Sequence, residues 1–88
     1  MKNNEFEKMC VKKIVDYFNE KVDKTDNFKL KAENVFVVWS CKALQNNKAL
    51  LSTTVPDGMY YELTYNGDKK ELYLDAYKKI ENKVYKID

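Results

Sequence analysis

The sequence predicts an α+β fold: an N-terminal amphipathic helix packed on a four-stranded antiparallel meander sheet, with a short C-terminal helix as one of two interpretations of the tail. Three observations predict it. Apolar residues recur at helical spacing near the N-terminus, and three turn signals separate four runs of alternating apolar residues between Val35 and Tyr77. The lengths of those turns also place most apolar residues of the four runs on one face. At 88 residues the chain is expected to form a single domain, residues 1–88.

The N-terminal segment is predicted to be a helix of about five turns. Asn4 followed by Glu7 resembles a capping box, in which each side chain satisfies a free backbone N–H at the helix start. The apolar positions that share one side are Phe6, Cys10, Ile14, Tyr17 or Phe18, and Val22. Lysines and other polar residues take the opposite side. We expect Asp23–Asn27 to end the helix and residues 32–34 to form a single turn.

Four runs rich in β-branched and aromatic residues predict the strands. Their expected bounds are Val35–Leu44, Ala49–Val55, Met59–Tyr65 and Lys70–Asp75. The segments between them carry the residues that favour turns, namely Asn46–Lys48, Pro56–Gly58 and Asn66–Lys69. Each connection is short enough for a hairpin, so consecutive strands are expected to be neighbours in the sheet.

The turn lengths predict the strand register. They set Trp39 opposite Val55, Leu51 opposite Leu63, and Leu63 opposite Leu72. A two-residue Asn-Gly turn would instead bring Glu62 opposite Glu71, and like charges directly opposite are unfavourable. The side expected under the helix comprises Val35, Val37, Trp39, Cys41, Ala43, Leu51, Val55, Met59, Tyr61, Leu63, Leu72 and Leu74. A slip of one residue would turn this whole set outward.

The opposite side of the sheet is the candidate binding surface. It is expected to carry more apolar surface than a solvated sheet normally shows. The residues we assign to the binding hypothesis are Phe36, Val38, Lys42, Leu50, Tyr60 and Tyr73. Three occupants are open at this stage: the C-terminal segment of the same chain, a protein partner, or a second copy. Tyrosine is enriched in contacts between proteins, which favours the second and third.

The tail has two interpretations. Asp75 could cap a short helix in which Ala76, Tyr77, Ile80 and Val84 share a side. Alternatively, the last strand continues through Lys78 and the tail returns as an edge strand. We favour the helix.

Composition excludes several kinds of site. All 16 basic residues are lysines, they nearly balance 14 acidic residues, and the chain has no histidine. The commonest general base, the commonest zinc ligand and arginine forks for phosphate are therefore missing. Cys10 and Cys41 cannot close a zinc site alone, so we expect two buried, reduced thiols. We expect no metal, no small-molecule cofactor, no membrane span and no export signal.

Two long runs carry a resemblance. The run from Val35 to Thr54, VFVVWSCKALQNNKALLSTT, and the run from Asp57 to Lys79, DGMYYELTYNGDKKELYLDAYKK, are similar to a family of small uncharacterised proteins. Phages and prophages of low-GC Gram-positive bacteria encode that family. The resemblance covers nearly the whole chain, and it implies a phage gene product that acts in the host cytoplasm or, alternatively, within a virion. It implies no catalytic or binding residues.

Three functions follow as hypotheses. The first is a non-enzymatic interaction module that binds a protein partner or itself through the tyrosine- and lysine-rich face. The alternative is a single-stranded nucleic-acid-binding protein that stacks bases on Tyr60 and Tyr73. Lysines 42, 69, 70, 78 and 79 would then follow the phosphates, but arginine is missing and we do not expect nucleic acid as the partner. Catalysis is disfavoured, because Glu62 and Glu71 lack a pocket and Cys41 lacks a base.

Overall fold

The computed structural model describes residues 1–21 and 28–88. In chain order the elements are helix α1 (Asn3–Lys21), a single 3₁₀ turn (Ala32–Asn34), and strands β1 (Val35–Ala43), β2 (Asn46–Thr53), β3 (Met59–Asn66) and β4 (Glu71–Lys78). The strands form one antiparallel sheet in the order β1-β2-β3-β4. The predicted α+β fold, one helix on a four-stranded meander, is confirmed. The predicted helix end at Asp23–Asn27 and the place of Val22 on the helix lie outside the described residues.

Helix α1 buries the side that the sequence predicts. Phe6, Cys10 and Ile14 are fully buried in the core. The predicted cap is wrong, because Asn4 lies inside the helix and the N–H of Phe6 already bonds to the carbonyl of Lys2. The side chain of Glu7, expected at that cap, turns toward the sheet instead.

The core lies between α1 and one face of the sheet, which we call the inner face. It is defined by Ala49, Leu51, Tyr61 and Leu63, each at most 2% exposed. The rings of Tyr17 and Tyr61 meet edge to face at 6.0 Å between centroids. We call the opposite side the outer face. Burial of the inner face against α1 is the main stabilising contact of the fold.

The hairpin between β1 and β2 differs from the prediction. Its turn is Leu44–Gln45, not Asn46–Lys48, and Leu44 has a φ of 58°. Primed hairpin turns need positive φ at their first central residue, a position that favours glycine. The two asparagines are used elsewhere: Asn47 is buried, and the Asn46 side chain accepts a hydrogen bond from the N–H of Gly67 at 3.3 Å. A contact between two hairpin turns therefore overrides the local turn preference.

A β-bulge in β1 then changes which residues face the helix. The register shifts between Val37 and Trp39, so Val38 has no partner of its own in β2. Trp39 pairs with Leu50 and not with the predicted Val55. The predicted inward positions of Trp39, Cys41 and Ala43 are consequently wrong, and these residues belong to the outer face.

Ser40 takes the inner position that the bulge leaves. It pairs with Ala49, and its hydroxyl donates a hydrogen bond of 2.6 Å to Oε2 of Glu7 on α1. The amide of Asn3 donates to the same oxygen at 3.0 Å. A charged acceptor strengthens such bonds, so this polar group ties the start of α1 to β1.

The other two registers differ from the prediction by two residues, which leaves the faces unchanged. Leu51 pairs with Tyr61, where Leu63 was expected. Leu63 pairs with Leu74, where Leu72 was expected. Side chains alternate with a period of two along a strand, so a shift of two keeps every inward residue inward.

The tail forms no C-terminal helix. Strand β4 continues through Lys78, as the alternative interpretation proposed, but the tail does not return as an edge strand. The last connection to the sheet is the N–H of Lys79, which donates to the carbonyl of Gly58 at 2.8 Å. Within residues 1–21 and 28–88, no helix has the length and hydropathy needed to cross a bilayer.

Candidate interaction surface

The outer face combines exposed aromatic and aliphatic side chains of the two edge strands, β1 and β4, with half-buried Leu50 and Tyr60 on the strands between them. Phe36, Trp39, Tyr73 and Tyr77 are between 43% and 52% exposed. Alternation along the strands places all four on the side away from α1. An antiparallel sheet with one solvated face usually presents polar residues there. Large apolar groups concentrated on such a face are typical of an interaction surface.

Strand β1 supplies the densest part of this surface. Phe36 pairs with Ser52, and Trp39 pairs with Leu50. Val38, the extra residue of the bulge, is 46% exposed between them in the chain. Because the bulge adds a residue on one strand only, β1 presents three large side chains on the outer face within four positions. A regular strand would present two.

The outer face holds a shallow depression of about 420 Å³ near the end of β4. It is lined by Leu50, Tyr60, Glu62, Tyr77, Lys78 and Lys79. Leu50 and Tyr60 are half-buried, because their neighbours on adjacent strands cover part of each side chain. The depression is open to solvent and large enough for a few side chains of a partner, but it is no enclosed pocket of the kind that holds a cofactor.

Charged groups of both signs lie at this depression: Lys78 and Lys79 belong to its lining, and carboxylates lie in and beside it. Glu62 and Asp75 lie directly opposite each other on β3 and β4. Lys48 approaches Glu62 at 3.6 Å, and the Tyr77 hydroxyl donates a long hydrogen bond of 3.5 Å to the same carboxylate. The negative charges of Glu62 and then Asp75 raise the pKa of Tyr77 above its usual value. Glu71 is also on this face, so three carboxylates lie there together with Lys48 and the two lysines of the depression.

Residues 7–87 match the model of a family of unknown function, DUF6275. The chain belongs to the DUF6275 family. Neither the comparison with curated proteins nor the comparison with solved structures returns a match. The expectation of an uncharacterised family is confirmed, and the function has to be argued from the surface itself.

The structure of this DUF6275 chain places five of the six predicted binding residues together. Phe36, Leu50, Tyr60 and Tyr73 all lie on the outer face as predicted. Val38 joins them through the bulge. Lys42 does not, because it pairs with Asn47, whose side chain belongs to the inner face. The expected lysine component of the surface is therefore missing at that position.

Besides Cys41 and Ala43, the residues of the surface that escaped the sequence prediction include Trp39, Lys48, Asp75 and Tyr77. The last two could have been found, because alternation continues past Asp75 with Leu72, Leu74 and Ala76 on one side of β4. Trp39 and Lys48 gave no such signal. Their positions depend on a Leu-Gln turn and a bulge, and neither carries a glycine or asparagine signature.

The groups considered for catalysis do not assemble. Glu71 lies opposite Asn66, while the carboxylate opposite Glu62 is Asp75. In the part of the chain that the structure describes, no three Cys, Asp or Glu side chains are grouped closely enough to hold a metal ion.

The two thiols of this DUF6275 chain have different surroundings. Both are free; Cys10 is buried as predicted, whereas Cys41 is exposed and its predicted burial is wrong. The bulge is the reason, because it places Cys41 on the outer face opposite Lys48. Burial first, and the charge of Glu7 second, raise the pKa of Cys10 to about 12, so this thiol is unreactive.

A second concave region lies away from the outer face, along one flank of α1. This groove of about 600 Å³ runs between the helix and β1, and Val11, Val15 and Val37 contribute its apolar lining. Lys8, Lys12 and Glu7 form part of its rim. The groove has charges of both signs, and its apolar side chains are those that pack α1 on the sheet. We therefore interpret it as a gap in the packing of the helix and not as a binding site.

Proposed function

We propose that the protein is a non-enzymatic interaction module whose outer face binds a protein surface. The observation that carries this proposal is the cluster of half-exposed Phe36, Val38, Trp39, Tyr73 and Tyr77 on a face that no described part of the chain covers. Aromatic residues supply large contact areas with few rotatable bonds, so they are enriched where proteins bind one another.

The setting of this function is also part of the proposal. The resemblance of residues 35–79 to proteins of phages and prophages supports a phage-derived gene product that acts in the host cytoplasm, with the virion as the alternative. Sequencing the genes that flank it would test this origin: phage genes on both sides are expected, and a neighbourhood of bacterial housekeeping genes would contradict it.

The surface itself is tested with a double variant, Tyr60→Ala with Tyr73→Ala. We expect it to abolish either self-association in light scattering or the retention of proteins from a host lysate. A matched control, Glu5→Ala with Lys13→Ala, removes two exposed side chains from α1 without changing the net charge. Urea denaturation of each variant checks that the fold is retained. If the tyrosine variant keeps both its oligomeric state and every retained protein, the outer face is not the binding surface.

Single-stranded nucleic-acid binding receives less support from the same geometry. Of the lysines considered, Lys78 and Lys79 line the depression beside Tyr60 and Tyr77, but Lys42 lies on the inner side of β1. Lys48 is paired with Glu62, and the carboxylates near Tyr73 would repel phosphate. A base-stacking surface needs lysines that follow the backbone beside its aromatic rings. We expect no binding of labelled single-stranded oligonucleotides in a low-salt anisotropy titration, and saturable binding that falls with salt would favour the alternative.

A further inference from the structure

The C-terminal tail, residues 79–88, carries apolar side chains that no part of the described chain covers. Ile80, Val84, Tyr85 and Ile87 are 94%, 79%, 75% and 87% exposed. The segment contains neither helix nor strand, and beyond Lys79 no backbone hydrogen bond ties it to the rest of the described residues. Scattered apolar residues are normal on a surface, but four within eight positions form a concentrated binding element.

The dimensions of the molecule agree with a tail that extends away from the sheet. The radius of gyration is 14.8 Å, whereas a compact domain of this length has about 12 Å. The longest axis is 50 Å. Helix α1 and the strands each span only about 30 Å at their standard rise per residue. The tail therefore does not fold back over the outer face of its own chain.

The outer face and the tail complement each other in polarity. The depression around Leu50, Tyr60 and Tyr77 offers apolar contacts to the tail's aliphatic side chains. Among charged groups, the face presents the opposed pair Glu62 and Asp75, together with Glu71 and Lys48, and the lining of the depression adds Lys78 and Lys79. Like charges directly opposite are unfavourable unless a cation lies near both. Beyond Lys79 the tail carries two lysines, Lys83 and Lys86, and a docked tail can place one of them beside the opposed carboxylates Glu62 and Asp75.

The spacing of the tail suits a groove or sheet face. Ile80, Val84 and Ile87 follow the i, i+4, i+7 pattern of one side of a helix. A segment of this kind is ordered when it docks, because a surface then covers its apolar side. Helix α1 covers the inner face with a comparable helical spacing, i, i+4 and i+8, at Phe6, Cys10 and Ile14.

We infer that the tail of one chain covers the outer face of a second copy, so that two chains exchange tails in a dimer. The inference rests on the proposed function, since it names the occupant of the same face. Exchange covers each exposed outer face with an exposed tail. In a two-fold dimer both faces and both tails are covered, so no further copy is added to the assembly.

The test compares full-length variants by light scattering and by acrylamide quenching of Trp39. Trp39 is the only tryptophan and lies on the outer face, so its quenching reports whether that face is covered. The tail variant is Ile80→Ser with Val84→Ser and Ile87→Ser, all at exposed positions. Its matched control, Glu81→Gln with Asn82→Ser, changes the same segment without removing apolar groups. The face variant is Tyr60→Ala with Tyr73→Ala.

We expect the wild type and the control to have twice the mass of one chain and a protected Trp39. The tail and face variants should be monomers, and in the tail variant Trp39 should be quenched several-fold more strongly. Mixing the two variants should restore a dimer, because one chain retains an intact tail and the other an intact face. Restoration by mixing cannot occur if each tail binds its own chain.

The remaining outcomes overturn the inference in distinguishable ways. A monomeric wild type with protected Trp39 means that the tail covers its own face, which also removes the proposed function. A monomeric wild type with accessible Trp39 overturns the dimer alone, because the face is then free for another protein. A dimer that survives the tail variant but not the face variant contradicts tail exchange and retains the outer face as the interface.

Discussion

The two faces of the sheet are built from the same four strands but differ in solvent exposure. On the inner face, Ala49, Leu51 and Leu63 are fully buried beneath α1. On the outer face, Trp39 and Tyr73 remain nearly half exposed, although they are larger and bury more area when covered. The comparison teaches that apolar content alone does not identify the core of this chain. What separates the faces is whether a second element of the same chain reaches them.

The largest expected effect comes from truncating the inner face. Leu63→Ala should lower the free energy of unfolding by about 2–5 kcal/mol, because it leaves a cavity in a fully buried site. Tyr73→Ala on the outer face removes a larger side chain but should cost less than about 1 kcal/mol. Urea denaturation followed by circular dichroism, at a concentration where the protein is monomeric, measures both. Equal losses would contradict the division into a core face and a binding face.

The next effect tests what fixes the sheet's register. At Gly67, a Cβ would overlap the carbonyl oxygen of Gln45 and lie 2.8 Å from its Cβ. Gly67→Ala should therefore separate the two hairpin turns and cost about 1–3 kcal/mol. Asp68→Ala, at the exposed neighbouring position, is the control and should be near neutral. Similar stability of the two variants would show that contact between the turns does not hold β1 and β2 in register.

The pH dependence of stability tests the burial of the Cys10 thiol. The pKa of Cys10 is raised from 9.0 to about 12 in the folded protein. Its contribution to stability is complete below pH 9 and is lost as pH rises toward 12, because the unfolded chain releases a proton that the folded chain retains. The loss should be about 1.4 kcal/mol per pH unit in that window.

The measurement uses a Cys41→Ala background, so that one thiol remains. Urea denaturation at successive pH values from 9.0 upwards should show a steeper decline with Cys10 present than with Cys10→Ala. Tyrosines contribute equally to both proteins and cancel in the difference. Parallel curves would mean that the Cys10 thiol on α1 is not shielded from water.

The smallest effect is expected from deleting Val38. Without this residue β1 becomes a regular strand, and Trp39 still pairs with Leu50 while Val37 still pairs with Leu51. Both faces are retained, so the change in stability should stay within about 1 kcal/mol. Trp39 fluorescence should keep the emission of a partly exposed indole.

Deleting Ser40 is the matched comparison, because it removes one residue from the same strand. The ladder would then place Trp39 opposite Ala49 beneath α1, and Glu7 would lose its hydrogen bond from Ser40. This deletion should be clearly more destabilising than the deletion of Val38. If the deletion of Val38 lowers the free energy of unfolding more than the deletion of Ser40, the bulge does not determine which residues of β1 face the helix.

Sequence alone was sufficient for the parts of the fold that depend on local periodicity. The helical spacing of Phe6, Cys10 and Ile14 predicted the buried side of α1, and alternation in β3 predicted that Tyr61 and Leu63 face it. Errors of two residues in the registers were harmless, because they preserve the alternation of faces. For the same reason Phe36, Leu50, Tyr60 and Tyr73 were correctly expected on the outer face.

Only the tertiary structure decided the placement of Trp39, Cys41 and Lys42. A turn at Leu44 with positive φ is disfavoured locally, and it is compensated by contacts with Gly67 that lie far away in sequence. The bulge at Val38 then restores the inward positions of Val35 and Val37. Periodicity fixes which residues can share a face within one regular segment. Within β1 the inward positions change from odd-numbered to even-numbered residues at the bulge. Where such a change occurs depends on contacts between distant turns, and no local sequence pattern encodes those contacts.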